Sequence, residues 1–159
     1  MSNRNPNEDE HNPPSPPPIK GGQGRLLGEI KLEDDHYCFV CGENNPSGLH
    51  LKFSIHDGKV VTEFVPQKIH QGYKGIVHGG IISTLIDEAM VKAALMQGIQ
   101  AVTAEFTVRF KNPLLTGEKA IVEATIIKIN KKIIETSAII KKSDNTIIAE
   151  GHAKLLRQD

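Results

Sequence analysis

The sequence predicts an α+β fold in which one long central helix is wrapped by a curved antiparallel sheet of about six strands. Three observations predict it. Only one segment, 80–97, repeats its apolar residues at helical spacing; the runs before and after it alternate or are rich in β-branched residues; and short polar breaks separate the last of those runs. With no second helix available to cover a sheet, the single helix has to be its packing partner.

The first 25 residues stand apart from that pattern. Pro6, Pro13, Pro14, Pro16, Pro17 and Pro18, with Gly21, Gly22 and Gly24, leave almost nothing apolar to offset the entropy of ordering, so 1–25 is expected to be a disordered tail. A proline-rich docking ligand for a partner's aromatic groove is the alternative for this segment. The rest, 26–159, reads as one domain. Leu49, Leu51, Phe53 and Ile55 alternate with His50, Lys52, Ser54 and His56, and Asp57-Gly58 follows before Lys59 to Val65, which is the pattern of a hairpin around a two-residue turn. The helix comes next, with Ile82, Leu85, Ile86, Ala89, Met90 and Ala93 on one side and Gly98 as its stop. Beyond it Val102, Ala104, Phe106, Val108 and Phe110 alternate with Thr103, Glu105, Thr107, Arg109 and Lys111, giving one buried and one polar face. Three more β-branched runs, 118–129, 133–142 and 146–156, are separated by Asn130-Lys131-Lys132 and Ser143-Asp144-Asn145 and form a meander.

Composition bounds the function. The 159 residues are 38% hydrophobic and 24% charged, and 19 basic residues balance 19 acidic ones, so the field that gathers nucleic acid or anionic membrane is missing. No apolar run is long enough to span a bilayer. The N-terminus lacks a secretory pattern, and Glu8, Asp9 and Glu10 argue against a mitochondrial presequence. Cys38 and Cys41 cannot staple a domain of this length, which points to a reducing compartment and a cytoplasmic protein. His36-x-Cys38-x-x-Cys41 has zinc-like spacing but lacks a second ligand pair, so no metal is expected.

Inside the helix, Thr84, Glu88 and Lys92 form a polar stripe, and Glu88 with Lys92 reads as a solvated i,i+4 pair. Asp87 lies off that stripe, with Ser83, Met90, Val91 and Ala94 as its helical neighbours, and an acid so placed is partly buried against a strand or a second subunit. Two roles fit: a base or nucleophile, or a structural acid satisfied by Ser83 or a backbone amide. His78, Gly79 and Gly80 open the helix, where glycines let a ligand approach the unpaired amides of the first turn. Those amides and the helix dipole stabilise charge developing on a carbonyl oxygen.

The stretches HGGIISTLIDEAM, NPSGLHLKF and TVRFKNPLLTGE together resemble the hotdog-fold acyl-CoA thioesterases, in the branch typified by the phenylacetate-degradation thioesterase, over about Cys38 to Leu156. The resemblance implies that Asp87 is the catalytic carboxylate, that the Gly79 amide polarises the thioester carbonyl, that His78 lies near the thioester, and that Thr103 holds the water. It also implies substrate contacts from Gly80, Gln71, Ser83, Arg109 and Lys111, with Lys131 and Lys132 as further cations for the coenzyme A diphosphate, and it requires no cofactor. The family often carries Asn or Gln six positions before the motif histidine; here that position is Gly72, with Gln71 beside it. The implied assembly is a homodimer or homotetramer with the thioester at a subunit interface. Two other functions are alternatives on the same fold. A hotdog hydratase or dehydratase would use a histidine such as His70 but lacks its proline-rich lead into the acid-bearing helix, and a non-catalytic acyl-CoA sensor would carry a DNA-binding module for which the tail is too short.

Overall fold

The computed structural model describes residues 32–158; the tail predicted for 1–25 lies outside the described residues. Asp57 and Gly58 both take positive φ (50° and 74°), so they close the predicted hairpin between β1 (Ser54–His56) and β2 (Lys59–Phe64). The first arm of that hairpin is shorter than its alternation suggested. His50 has φ 52°, which breaks the extended run, and Leu49 and Leu51 instead donate to the Phe39 and Val40 carbonyls of the preceding loop.

A short 3₁₀ turn (Lys68–His70) leads into a small ladder of β3 (Gln71–Tyr73) and β4 (Ile76–Val77), which the sequence pattern did not reveal. Helix α1 follows as Gly79–Leu95 and ends ahead of Gly98, whose φ of 76° suits glycine. Then come β5 (Ala101–Phe110), β6 (Ala120–Ile129), β7 (Ile133–Lys142) and β8 (Ile147–Arg157). The main sheet has six strands in the order β1-β2-β6-β7-β8-β5, antiparallel throughout, and α1 packs against β2, β5, β6, β7 and β8.

The core lies where the sheet's concave face meets the helix. Ile82, Leu85, Ile86, Ala89, Met90, Ala93 and Ala94 are buried on α1, against Val60, Thr62 and Phe64 of β2, Ala120, Val122 and Ala124 of β6, and Ile134, Ala138 and Ile140 of β7. Gly151 on β8 allows the close approach: a Cβ there would lie 2.3 Å from the Ile86 Cγ2. The Thr84–Glu88–Lys92 stripe is not solvated as its sequence suggested. The loop through Cys38 lies over it, leaving the Glu88 and Lys92 side chains only 17% and 18% exposed. Among the described residues no helix is long and apolar enough to cross a membrane.

Candidate active site

His78 is the N-cap of α1, held extended at φ −64°, ψ 133°, and its ring Nδ1 accepts the Gly80 N–H at 2.8 Å. That nitrogen therefore carries no proton, and a neutral ring bears its hydrogen on Nε2. The arrangement makes the two glycines unequal. Gly80 spends its amide on the cap, whereas the Gly79 N–H has no hydrogen-bond partner among the described residues. Gly72 is the reason the ring fits: a Cβ there would lie 3.1 Å from the His78 Cδ2, so an Asn or Gln side chain at this position would crowd this histidine. Gln71 beside it accepts the Gly75 N–H through Oε1 at 3.1 Å and fixes the β3–β4 turn.

Phe110, at the end of β5, brings its ring to the helix start; the Cζ lies 3.4 Å from where a Gly79 Cβ would sit. With Val77, Ile82, Pro113 and Leu114 it lines an open recess of about 240 Å³ beside the Gly79 amide. Phe110 itself is 54% exposed. It is a contributor that motif reading missed, because its place beside the helix start is set by the β5–β8 register and not by any local pattern.

Two turns along the helix, the Thr103 hydroxyl donates to Asp87 Oδ1 at 2.6 Å. Among the described residues Oδ2 has no hydrogen-bond partner. Burial raises the Asp87 carboxyl above the ordinary aspartate range, opposed by the Thr103 bond and assisted by the neighbouring Glu88 charge. Ser83, the partner expected of a structural acid, turns away and donates to the Gly79 carbonyl at 3.0 Å.

Strict alternation would have put Thr103 on the polar face of β5 with Arg109 and Lys111. The structure corrects this. A bulge at Ala104 shifts the pairing with β8, so that Thr103 faces Leu155 and Glu105 faces Lys154. Thr103 thereby shares the helix-facing side with Phe106, Val108 and Phe110, which pair with Ala153, Gly151 and Ala149. Phe106 is nonetheless 39% exposed, because β5 ends the sheet and its outer edge pairs with no strand among the described residues.

The remaining implied contacts are spread out. Arg109 is exposed on the outer face opposite Glu150, and Lys111 forms an ion pair with Glu150 at 3.1 Å. Lys131 and Lys132 sit at the β6–β7 turn, where the Lys132 carbonyl meets Arg157, the partner of Ala101. Arg109 lies eight residues along β5 from Ala101, roughly 26 Å at the rise of a strand, so these two basic groups occupy opposite ends of the sheet. Gly79 and Asp87 are also eight residues apart, about 12 Å along the helix axis, too far for one chain's free amide and carboxyl to meet at one carbonyl.

Behind the helix, on the side away from Thr103, Cys38 Sγ lies 3.8 Å from both Glu88 oxygens, and Cys41 joins the same cluster. Burial, with Glu88 next, pushes the Cys41 thiol up to about 12.

The profile of the thioesterase superfamily matches residues 74–149, which span β4, α1, β5, β6 and β7. Acyl-coenzyme A thioesterase 13 of Homo sapiens is 30% identical over 103 residues, 62% of this chain and 74% of that one. Among solved structures, the PaaI protein of the E. coli phenylacetic acid degradation operon superposes with a TM-score of 0.64 at 23% identity, over 69% of this chain and 80% of that one. A Streptococcus mutans UA159 protein bound to acetyl-CoA gives 0.64 at 17% identity, over 67% and 87%. The solved structures share the helix-in-sheet architecture over about two thirds of this chain, and the chain belongs to the thioesterase superfamily.

Proposed function

We infer that the chain hydrolyses acyl-CoA thioesters to the free acid and coenzyme A, with Asp87 as general base and the Gly79 amide as oxyanion donor. The observation that carries this reading is the half-buried Asp87 carboxyl, one oxygen held by Thr103 and the other without a hydrogen-bond partner among the described residues. A carboxylate made more basic by burial is a better acceptor for a proton from water. Water held between Asp87 Oδ2 and Thr103 attacks the thioester carbon and gives its proton to Asp87. Charge then gathers on the carbonyl oxygen, facing the Gly79 N–H and the positive end of the helix. The tetrahedral centre collapses with cleavage of the C–S bond, and the proton passes from Asp87 to the departing thiolate.

With about 12 Å between the two groups on one helix, this reading takes the other half of the site from a second copy. A homodimer, paired through the edge of β5 that meets no strand among the described residues, gives each site one helix start and one acid; the exposed Phe106 and Phe110 along that strand support it, and a further pairing would make a tetramer. Arg109 and Lys111 are the cations for the coenzyme A diphosphate, and the recess at Phe110 takes an apolar part of the substrate. Gln71, Gly80, His78 and Ser83 act by fixing the helix start through the hydrogen bonds they make. This hydrolase is the single domain 26–159, and the free thiols Cys38 and Cys41 support a cytoplasmic setting.

The test is thiol release by the purified protein against short, medium, long and aryl acyl-CoAs, with Asp87→Asn run in parallel. Wild type turns over at least one class, and Asp87→Asn falls by about 10²- to 10⁴-fold while melting within a few degrees of it. No release from any member, or an unimpaired Asp87→Asn, would sink the reading.

A further inference from the structure

We propose that Cys38, Cys41 and Glu88 form a binding site for a thiophilic divalent cation, zinc being the ion whose chemistry fits. The sequence carried only a Cys-x-x-Cys pair and too few ligands; the fold brings a third from the helix, fifty residues along from Cys38. The three donor atoms all lie within 4.8 Å of one another. A tetrahedral zinc with Zn–S about 2.3 Å and Zn–O about 2.0 Å has ligand-to-ligand edges of about 3.5–3.8 Å. Cys38 Sγ stands 3.8 Å from each Glu88 oxygen, so little movement is needed to close around an ion.

The backbone of the loop is arranged for thiolate ligands. The Val40 N–H points at Cys38 Sγ at 3.4 Å, and the Gly42 N–H closes the turn on the Cys38 carbonyl at 2.9 Å. That turn is tight enough to demand glycine: a Cβ at Gly42 would lie 2.4 Å from the Cys38 nitrogen and 2.6 Å from the His36 oxygen. Charge also balances. Two thiolates and a carboxylate around a dication leave one negative charge, and the Lys92 ammonium stands 3.5 Å from Glu88 Oε1 to neutralise it. On binding, each thiol forms a metal–sulfur bond and releases its proton to solvent; nothing is oxidised. Three protein ligands leave the fourth position to water.

Such an ion would clip the loop that carries Cys38 to the helix residue next to Asp87. Asp87 itself turns the other way, to β5, so the site is a positioning clip and not part of the hydrolytic chemistry.

The experiment is a titration of reduced, chelator-treated full-length protein with Co(II), followed by absorption. Stoichiometric growth of thiolate-to-cobalt charge-transfer bands and tetrahedral d–d bands, reversed by Zn(II), is expected. Glu88→Gln should keep the charge-transfer bands but weaken binding by more than the roughly 10- to 100-fold that losing an outer-sphere partner costs. Cys38→Ser with Cys41→Ser should abolish the bands while far-ultraviolet circular dichroism reports whether the fold survives. Absence of the bands in wild type overturns the proposal without reference to any variant. Equal binding by a folded double-serine variant overturns it too, as does a wild type that only closes to a Cys38–Cys41 disulfide under mild oxidant and takes up no metal.

Discussion

Replacing Gly79 by proline deletes one hydrogen atom from the site with little disturbance elsewhere. Position 79 is the first helical residue, where proline's fixed φ is suited to the helix and its missing N–H breaks no intrahelical bond. The residue before a proline must be extended, and His78 already is, at φ −64° and ψ 133°. The new Cβ would meet the Phe110 ring at 3.4 Å, a contact distance that an exposed ring accommodates. Fewer unfolded conformations should stabilise the variant by about 0.4–1 kcal/mol if that contact relaxes. Its rate should fall by about 10²- to 10³-fold, the loss of about 2.7–4 kcal/mol that removal of one oxyanion donor costs. Gly79→Ala, which keeps the N–H, should stay near wild type. Steady-state kcat with thermal melts on both variants is the assay. Mixing then tests the shared site: in a Gly79→Pro/Asp87→Asn heterodimer one site carries both lesions and the other neither. Random reassembly should thus restore about a quarter of wild-type activity if each site draws on both subunits. A fully active Gly79→Pro would refute the oxyanion role, and a mixture that stays inactive would refute the composite site.

Three further outcomes follow from the packing. Gly151→Ala should destabilise the fold by about 1–3 kcal/mol in denaturant melts, since the added methyl has to displace the buried Ile86. Thr136 is fully buried with its hydroxyl unpartnered among the described residues, so Thr136→Val should raise Tm, by the equivalent of about 1 kcal/mol or more. Acid titration of stability should show Glu123: the Lys141 ammonium, with Lys59, holds its carboxyl below the ordinary 4.5. The unfolded chain therefore takes up that proton first, so stability is full above about pH 4.5 and drains as pH falls through the lower folded value, with a shallower decline in Glu123→Gln.

The elements governed by local chemistry could be read from the sequence. Asp57-Gly58 announces its hairpin because few residue pairs tolerate two positive φ angles, and the helix announces itself by six apolar residues at helical spacing, to which the structure adds Ala94. The helix opening at His78 and Gly79 and the off-stripe place of Asp87 were legible for the same reason: glycines at a helix start and an acid among apolar neighbours are local anomalies. What failed depended on partners distant in sequence. Glu88 and Lys92 look solvated until the loop through Cys38 folds over them. Likewise, the nearness of Phe110 to Gly79 needs the sheet register, and the strict alternation of its strand points Thr103 outward until the bulge at Ala104 turns it to the helix.

The bulge at Ala104 also determines which kinds of change the strand can survive. Ala104 is exposed, so many side chains should be acceptable there. Its presence as a unit of length is another matter, because strand faces alternate residue by residue and Ala104 is the extra step. Delete it, and either Thr103 swings outward and abandons Asp87, or Phe106, Val108 and Phe110 leave the helix side and the start of α1 loses its ring. The two halves of the site are thus phased to each other through a residue whose own side chain belongs to neither. In an alignment of relatives, a gap at this position would signal more about lost hydrolysis than any letter written in its place.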